Sequence, residues 1–309
     1  MDDPSFRDTE IRLAAFAWLT EKSAEHGDVF PRQVLAKGFE FHNQRIPLLG
    51  PQGIFKPKVL NEIPLSITTA PKGPYDDSFG PDGFLSYRYR GKNIQHHENT
   101  GLRKAFWQKI PLIYFHGVVP GKYLAVWPVF IVGDMPEKLS FKVAVDDMAY
   151  LENMKSGTAT KDMISEDDNF ARRVYITSSV QQRLHQRGFR ERVLAAYKEQ
   201  CALCRLRHRE LLDAAHIIPD NEPGGDPVVK NGISVCKLHH AAFDKLFLGI
   251  RPDYIVIIRP DVLAETDGPM LRHGLQGLHN TRLLLPKKTD LQPDPGLLER
   301  RWQRFKNVA

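Results

Sequence analysis

The amino-acid sequence predicts an α+β protein with a β-rich N-terminal domain and a metal-stabilised C-terminal domain. The chain has 309 residues, which is enough for two domains with separate cores. From about Gly38 to Val145, short apolar or aromatic runs alternate with Gly and Pro turns, and this pattern indicates several strands in a sandwich or barrel. All 3 cysteines lie close together between Cys201 and Cys236, which indicates a metal site rather than disulfides.

The elements can be placed in order along the chain. Apolar residues recur at helical spacing over residues 9–26, and Gly27 ends this first predicted helix. The strands follow and complete an N-terminal domain over residues 1–150. Residues 151–175 are polar with no strong period, which predicts a linker. The C-terminal domain then occupies residues 176–309.

The cysteines form two short knuckles. Cys201 and Cys204 make a C-x-x-C pair, and Cys236 and His239 make a C-x-x-H pair. A Cys3His set with these gaps predicts a tetrahedral structural zinc, because each knuckle presents two ligands from one tight turn. His239 rather than its neighbour is preferred as the fourth ligand because it completes the C-x-x-H spacing. The polar residues that this closed site leaves unexplained are His216, Asn231 and His240.

The stretch resembles the HNH nuclease motif, a strand–strand–helix arrangement that binds one catalytic metal. His216-Ile217-Ile218-Pro219 matches the histidine of the first strand, Asn231-Gly232 matches the asparagine, and His240 matches the histidine that opens the helix. The resemblance implies that His216 is the general base and that His240 binds Mg²⁺ or Mn²⁺. It also implies that Asn231 orients the His216 ring or steadies its loop, and that the products carry 5′-phosphate and 3′-hydroxyl ends.

One position departs from this family pattern. Many members carry Asp or His immediately before the base, as a second metal ligand, but here the residue is Ala215. Asp213 lies three residues before His216, where a regular strand would turn it to the opposite face. Asp244 lies one helical turn after His240 and would share its face. Both carboxylates therefore remain candidates for the missing ligand, and a catalytically silent zinc-stabilised DNA-binding protein remains an alternative.

The N-terminal domain resembles the SRA domain, a curved barrel related to PUA folds that reads modified cytosine by flipping it out. The resemblance rests on Pro74-Tyr75-Asp76-Asp77 and on Tyr89-Arg90-Gly91, where Arg90 replaces the usual threonine. It implies a modified-base pocket lined by Tyr75, Asp76, Asp77 and Tyr89, with stacking tyrosines and aspartates that accept from the exocyclic amine. The alternating Tyr and Arg residues also fit an ordinary half-buried strand, and the Asp pair fits a turn.

The charge suits a partner made of phosphates. The formal net charge is +6 and the isoelectric point is about 9.1. Residues 183–209 contain 8 Lys or Arg against 2 Glu, directly before and within the cysteine-rich region. A solvated helix face is the alternative interpretation of this segment. The candidate contacts to the DNA backbone are Arg88, Arg90, Arg187 and Arg190.

Together these features resemble modification-dependent restriction endonucleases of SRA–HNH architecture. The resemblance implies cleavage of double-stranded DNA carrying 5-methylcytosine or 5-hydroxymethylcytosine. Because one HNH site cuts one strand, a double-strand break would need a homodimer, which we expect, or two encounters. Alternatives are a reader of phosphorothioate, of a glucosylated base or of plain sequence, and an RNA- or structure-directed nuclease. The sequence has no apolar run near the ~20 residues that span a bilayer, and its acidic N-terminus lacks a signal-peptide core. A cytoplasmic protein is therefore expected.

Overall fold

The computed structural model of the protein divides into two compact units. Unit 1 is Met1–Leu184 and unit 2 is His185–Ala309. This division falls beyond the predicted linker, and the chain is already helical from Glu166 onward. The residues that the structure describes are 4–71, 78–80, 82–146, 166–266 and 268–308.

Unit 1 is built mainly from strands. Its helices are α1 (Pro4–His26), α2 (Arg32–Lys37), α3 (His97–Gln108) and the first part of α4 (Glu166–Ala196). Its strands are β1 (Val29–Pro31), β2 (Phe39–Phe41), β3 (Gln44–Ile46), β4 (Ile54–Phe55), β5 (Ser66–Thr69), β6 (Ser78–Phe79), β7 (Leu85–Arg88), β8 (Leu112–Val119), β9 (Lys122–Met135) and β10 (Ser140–Val145).

Most of these strands form one mixed sheet. Within the described residues its order is β4-β5-β8-β9-β10-β7-β6, and β1 also pairs with the first part of β9. The β5–β8 pair is parallel, and the other pairs of this sheet are antiparallel. Among the described residues, the edge strands β4 and β6 do not pair with each other, and the sheet is a curled half-barrel. The predicted curved β-rich domain is thus confirmed as a curled half-barrel, and the relationship to SRA and PUA folds remains a prediction.

Side chains on both faces of the sheet are buried. Ile113 and Phe115 of β8 pack in a cluster that includes the apolar residues of α1. Leu112 and Tyr114, which alternate with them, pack in a second cluster with residues of α3 and α4. This alternation is the period-two pattern of a strand, and it explains why the runs in this region read as nearly continuous apolar sequence.

Unit 2 contains a compact strand–strand–helix core. Its strands are β11 (Leu212–His216), β12 (Gly232–Cys236), β13 (Leu248–Ile250) and β14 (Val256–Ile258). Its helices, after the end of α4, are α5 (Lys237–Asp244), α6 (Pro260–Ala264), α7 (Pro269–Gly274) and α8 (Pro295–Lys306). The last helix begins with a favourable cap, because the Asp294 carboxylate accepts from the backbone N–H groups of Gly296 and Leu297.

The first two of these strands bring the motif residues together. β11 and β12 are antiparallel, with Leu212 opposite Cys236 and His216 opposite Gly232. Cys236 ends β12 and immediately precedes α5. The predicted strand–strand–helix order is therefore present, and it carries a zinc-knuckle cysteine and the helix of His240 on consecutive elements.

Candidate functional site

Four side chains of unit 2 converge as a metal-binding cluster. The ligand atoms of Cys201, Cys204, Cys236 and His239 all lie within 4.8 Å of one another. His239 Nδ1 is 3.4 Å from Cys201 Sγ and 3.1 Å from Cys236 Sγ. Cys204 Sγ is 4.0 Å from Cys236 Sγ. Zinc bonds of about 2.3 Å to sulfur would separate tetrahedral sulfur atoms by roughly 3.8 Å, so the spacing fits zinc.

The orientation of His239 supports the same ligand set. Its side chain is buried, and Nε2 lies 2.7 Å from the carbonyl oxygen of Gly274. A donated N–H at Nε2 leaves the Nδ1 lone pair for a metal, which is the usual arrangement behind a metal-bound histidine. The Cys236 thiol donates to Cys201 Sγ and lowers the pKa of Cys201, which favours a thiolate there. These four residues could therefore bind structural zinc.

Asn231 anchors the loop that begins at His216. It is fully buried, and its side-chain oxygen accepts from the backbone N–H of Ile218 at 2.9 Å. Its amide nitrogen donates to the carbonyl oxygens of Ile218 at 2.9 Å and Asp226 at 3.1 Å. Of the two predicted roles, this geometry fits the steadying of the loop, since these side-chain contacts go to backbone atoms.

His216 lies at the end of β11 against an aromatic ring. Its imidazole stacks on Phe189 of α4, with ring centroids 3.9 Å apart and an interplanar angle of 15°. Gly232, opposite His216, makes room for the Phe189 ring, because a Cβ at Gly232 would lie 2.8 Å from Phe189 Cζ. Burial is the main cause that lowers the pKa of His216, and the nearby charge of His240 adds to it. The lowered pKa favours the neutral form of this imidazole.

His240 is placed between two carboxylates. Nδ1 is 3.3 Å from Asp213 Oδ2, and Nε2 is 3.3 Å from Asp244 Oδ2. The hydrogen bond to Asp213 raises the pKa of His240, and the charge of Asp244 acts in the same direction. Although strand alternation predicts that Asp213 faces away from His216, its carboxylate reaches the helix that carries His240.

Each carboxylate forms, with one nitrogen of His240, a pair whose spacing suits two ligands of a hard divalent cation. Ligands at right angles around an ion with bonds of 2.0–2.2 Å lie about 3 Å apart, so each nitrogen–oxygen pair of His240 has suitable spacing. Within the described residues, the one group of three or more metal-binding side chains in mutual reach is the cysteine cluster. The two carboxylates thus lie at different edges of the His240 ring. At each edge, one ring nitrogen and one carboxylate could supply two ligands of an ion.

Much of the predicted basic segment is used inside unit 2. Arg190 donates to the carbonyl oxygens of Leu212 at 2.7 Å and Arg209 at 3.2 Å, and its Nε is 3.5 Å from Asp213 Oδ1. Arg209 in turn binds the buried carboxylate of Glu191. Arg190 thus positions backbone and Asp213, whereas Arg187 has an exposed side chain on α4. Contacts of either residue with DNA remain predictions.

The predicted base pocket of unit 1 is only partly described. Tyr75, Asp76 and Asp77 lie outside the described residues. Tyr89 is 2% exposed, packs on Phe141 at 4.5 Å between ring centroids, and has its hydroxyl bound by Asp134. Among the described residues Tyr89 is thus a core side chain of unit 1, and its place in a modified-base pocket remains a prediction.

The predicted backbone contacts of unit 1 are at the surface. Arg88 and Arg90 are exposed. The backbone after β7 is fixed by the buried Asn99, which binds both the N–H and the carbonyl group of Arg90. A separate cavity of about 360 Å³ is lined by Leu124, Trp127 and Arg183, among others. None of the predicted pocket residues within the described chain lines it.

The motif does not reveal Phe189, which the structure adds to the site. Phe189 precedes the cysteine-rich stretch. It lies in the basic segment 183–209, whose charge predicts a helix that faces DNA. Only its place as a single apolar residue among arginines distinguishes it in the sequence. No local pattern connects it to His216, because the contact depends on how α4 packs against β11 and β12.

The comparisons with known proteins agree with the site. Residues 201–251 match the model of a family described as HNH endonuclease, so this part of the chain is an HNH endonuclease domain. The comparison with curated proteins finds no match. Among the described residues, no helix is both long and apolar enough to cross a membrane.

Two solved structures are similar over most of this chain. The modification dependent TagI restriction endonuclease has a TM-score of 0.28 and 13% identity, and the match covers 79% of this chain and 82% of that chain. The Type IV phosphorothioation-dependent restriction endonuclease ScoMcrA has a TM-score of 0.25 and 16% identity, over 70% of this chain and 54% of that chain. The chain thus carries an HNH endonuclease domain at residues 201–251.

Proposed function

We propose that the protein is a restriction-type DNA endonuclease in which unit 2 hydrolyses phosphodiester bonds. The observation that carries the proposal is the pair of histidines with opposite environments in one strand–strand–helix core. Burial lowers the pKa of His216, whereas a neighbouring carboxylate raises the pKa of His240. The first is suited to accept a proton at neutral pH, and the carboxylates of Asp213 and Asp244 beside the second attract positive charge, which a divalent cation can supply in place of a proton.

His216 acts as the general base in this proposal. It removes a proton from the water whose oxygen attacks phosphorus, and the bond from phosphorus to the 3′ oxygen breaks. The products then carry a 5′-phosphate and a 3′-hydroxyl. His216 Nε2 is buried without a hydrogen-bond partner among the described residues, so Nδ1 is the nitrogen left to take the proton. The Phe189 ring and the loop anchored by Asn231 fix the orientation of this imidazole.

His240 and Asp244 would bind the catalytic Mg²⁺ or Mn²⁺, and Asp213 would orient the His240 ring. The Asp213 carboxylate accepts a hydrogen bond from the backbone N–H of Ala214 and lies beside Arg190, so its position is already fixed. Asp244 is more exposed, at 53% of its side chain. The bound ion would stabilise charge that builds on the phosphate and on the leaving oxygen. Cys201, Cys204, Cys236 and His239 would bind zinc and support the hairpin.

The substrate proposed for unit 1 is duplex DNA with 5-methylcytosine or 5-hydroxymethylcytosine. Its support is the sequence resemblance to SRA domains, and the burial of Tyr89 weighs against one residue of the proposed pocket. A phosphorothioate or glucosylated mark is the alternative for the same nuclease. A homodimer is proposed for double-strand cleavage, because each HNH site cuts one strand; the mass of the protein in solution tests it.

The experiment is cleavage of matched duplexes by wild type, His216→Ala and His208→Ala. The duplexes carry cytosine, 5-methylcytosine, 5-hydroxymethylcytosine or phosphorothioate, with Mg²⁺ or Mn²⁺ present. His208 is an exposed histidine of the same unit and serves as the control. Cutting by wild type and the control, with loss in His216→Ala, is expected. Cutting of all duplexes alike would remove the modified-base reader, and equal cutting by His216→Ala would remove the catalytic assignment.

A further inference from the structure

A buried arginine of the last helix joins the two elements that carry the proposed catalytic histidines. Arg301 of α8 has a side chain that is only 7% exposed. Its Nη2 donates to the carbonyl oxygen of Phe243 at 2.7 Å, and its Nη1 donates to that of Ile217 at 3.4 Å. One guanidinium therefore bridges the backbone after β11 and the backbone at the end of α5.

The two carbonyl groups are immediate neighbours of the site. Ile217 follows His216 in the chain, while Phe243 lies three residues after His240 and precedes Asp244. The position of Arg301 thus sets the separation between the base and the metal-binding pair. Since a planar guanidinium presents its donors in a fixed fork, it defines the direction of both contacts as well as their distance.

The end of α5 gives a physical reason for a cation at this place. The last carbonyl groups of a helix lack intrahelical partners and carry partial negative charge. The Arg301 guanidinium meets one of these carbonyls, its Cζ lies 4.2 Å from the centroid of the Phe243 ring, and Nη2 is 3.8 Å from Asp244 Oδ1. Burial lowers the pKa of Arg301, and its Nε is buried without a partner among the described residues. Because burial of an unpaired charge is unfavourable, the Arg301 guanidinium depends on its contacts with the Phe243 carbonyl, the Phe243 ring and Asp244.

The neighbouring arginines of α8 bind a different segment. Arg300 donates to the carbonyl oxygen of Pro223 at 3.0 Å, and Arg304 forms a two-point ion pair with Glu222. Both contacts go to the loop between β11 and β12. Arg300 is exposed, whereas Arg301 is buried, so two consecutive arginines offer a matched comparison.

We propose that Arg301 is a positioning residue of the nuclease site, which keeps His216 in place relative to His240 and Asp244. This inference rests on the proposed function. Arg301 lies outside the 201–251 segment that matches the HNH family, so the working nuclease of this chain includes α8. Arg301 acts through the backbone of β11 and α5, and its role is to fix a geometry rather than to contact DNA.

The test compares Arg301→Met, Arg301→Lys and the control Arg300→Met in the full-length, zinc-loaded protein. Because a misplacement of about 1 Å can cost on the order of 100-fold in rate, Arg301→Met should lower kcat by about that factor. KM for the duplex and the Kd for metal-free binding should change less than about twofold. Arg301→Lys keeps the charge but lacks the planar guanidinium, so its kcat should lie between those of Arg301→Met and wild type. The kcat of Arg300→Met should match that of wild type.

Hydrogen exchange provides a readout that does not depend on cleavage. In both Arg301 variants, the amides of α5 and of Ile217 and Ile218 should exchange faster, while those of β13 and β14 keep their rates. If Arg301→Met loses zinc or unfolds, the comparison of Arg301→Lys with wild type decides. Unchanged kcat together with unchanged exchange would overturn the inference, as would a rise in KM with kcat kept, which indicates DNA contact. Equal cutting by His216→Ala would instead overturn the proposed function alone.

Discussion

His239 and His240 are adjacent in the chain and have opposite surroundings. His239 is buried, presents Nδ1 to two cysteine sulfurs and has Nε2 on the Gly274 carbonyl. The His240 side chain is 25% exposed and has a carboxylate beside each ring nitrogen. Successive residues of a helix point about 100° apart, so one turn of α5 serves both centres. Thiolates select zinc and carboxylates suit magnesium or manganese, so we propose that the two neighbouring histidines bind two kinds of metal.

Removal of one cysteine should have the largest effect. Cys201→Ser should lose stoichiometric zinc and unfold unit 2, because a structural zinc contributes on the order of 10 kcal/mol to folding, comparable with the total stability of a domain, about 5–15 kcal/mol. Zinc analysis and thermal melting measure this. A Cys201→Ser protein with one zinc per chain and the melting temperature of wild type would contradict the structural role of the cluster.

Removal of the neighbouring histidine should break function without breaking the fold. His240→Ala should lower kcat by about 100- to 10,000-fold, the range typical of a lost catalytic group, while zinc content and melting temperature stay near wild type. His239→Ala is the matched comparison and should lose zinc. If His240→Ala also lost its zinc, the assignment of the two histidines would be reversed.

The two carboxylates beside His240 should separate into different roles. Asp244→Asn should raise the Mn²⁺ concentration for half-maximal cleavage by about 10- to 100-fold, since Asp244 is proposed as a direct ligand. Asp213→Asn should mainly lower kcat, and it should lower the raised pKa of His240 in metal-free protein. Metal titrations of activity and NMR titration of the imidazole measure the two effects. The reverse pattern would exchange the roles of these aspartates.

A methyl group behind His216 should disturb the base and spare the zinc. At Gly232 a Cβ would lie 2.4 Å from Val193 Cγ2 and 2.8 Å from Phe189 Cζ, so Gly232→Ala displaces the stacked ring. Overpacking of this kind costs about 1–3 kcal/mol. Gly268→Ala is the control, because nothing lies within 4 Å of its Cβ. Equal melting temperatures and equal kcat values for the two variants would show that the Phe189 contact is not needed.

The smallest predicted effect is in the pH profile. Since burial lowers the pKa of His216 below its ordinary 6.5, the reactive neutral form persists as pH falls through 6.5 and is lost only below that lowered pKa. With metal saturating, the midpoint of the acid limb of kcat should therefore lie below pH 6.5. An acid limb centred above pH 6.5 would indicate that another group controls the rate.

The sequence predicted the nuclease half well because short spacings carry its chemistry. Two knuckles and the order of His216, Asn231 and His240 depend on tight turns and on one hairpin, which are local features. The long-range contacts were beyond the sequence: Phe189 stacks on His216 only when α4 packs on the hairpin, and Arg301 reaches it from the last helix. Strand alternation turns Asp213 away from His216, and its contact with His240 depends on how α5 packs on β11, which the sequence does not show.

The N-terminal half was less predictable for a physical reason. Alternating runs identify strands, but they do not decide whether the sheet closes, because closure depends on pairing between β4 and β6 at its two edges. Tyr89 illustrates the difficulty: its alternation with arginines fits a pocket wall and a core position equally well, and the structure places it in the core. A base pocket is defined by packing over the whole sheet rather than by one strand.

We propose that the cysteine cluster and the His240 site bind two metals with separate roles. The most direct test of this proposal is metal analysis beside cleavage in protein passed over a chelating resin. We predict one zinc retained per chain, no cleavage of the duplex that wild type cuts, and full recovery on addition of Mg²⁺ or Mn²⁺ with zinc unchanged. Cleavage at the full rate with zinc as the sole metal, or recovery that requires added zinc, would contradict it.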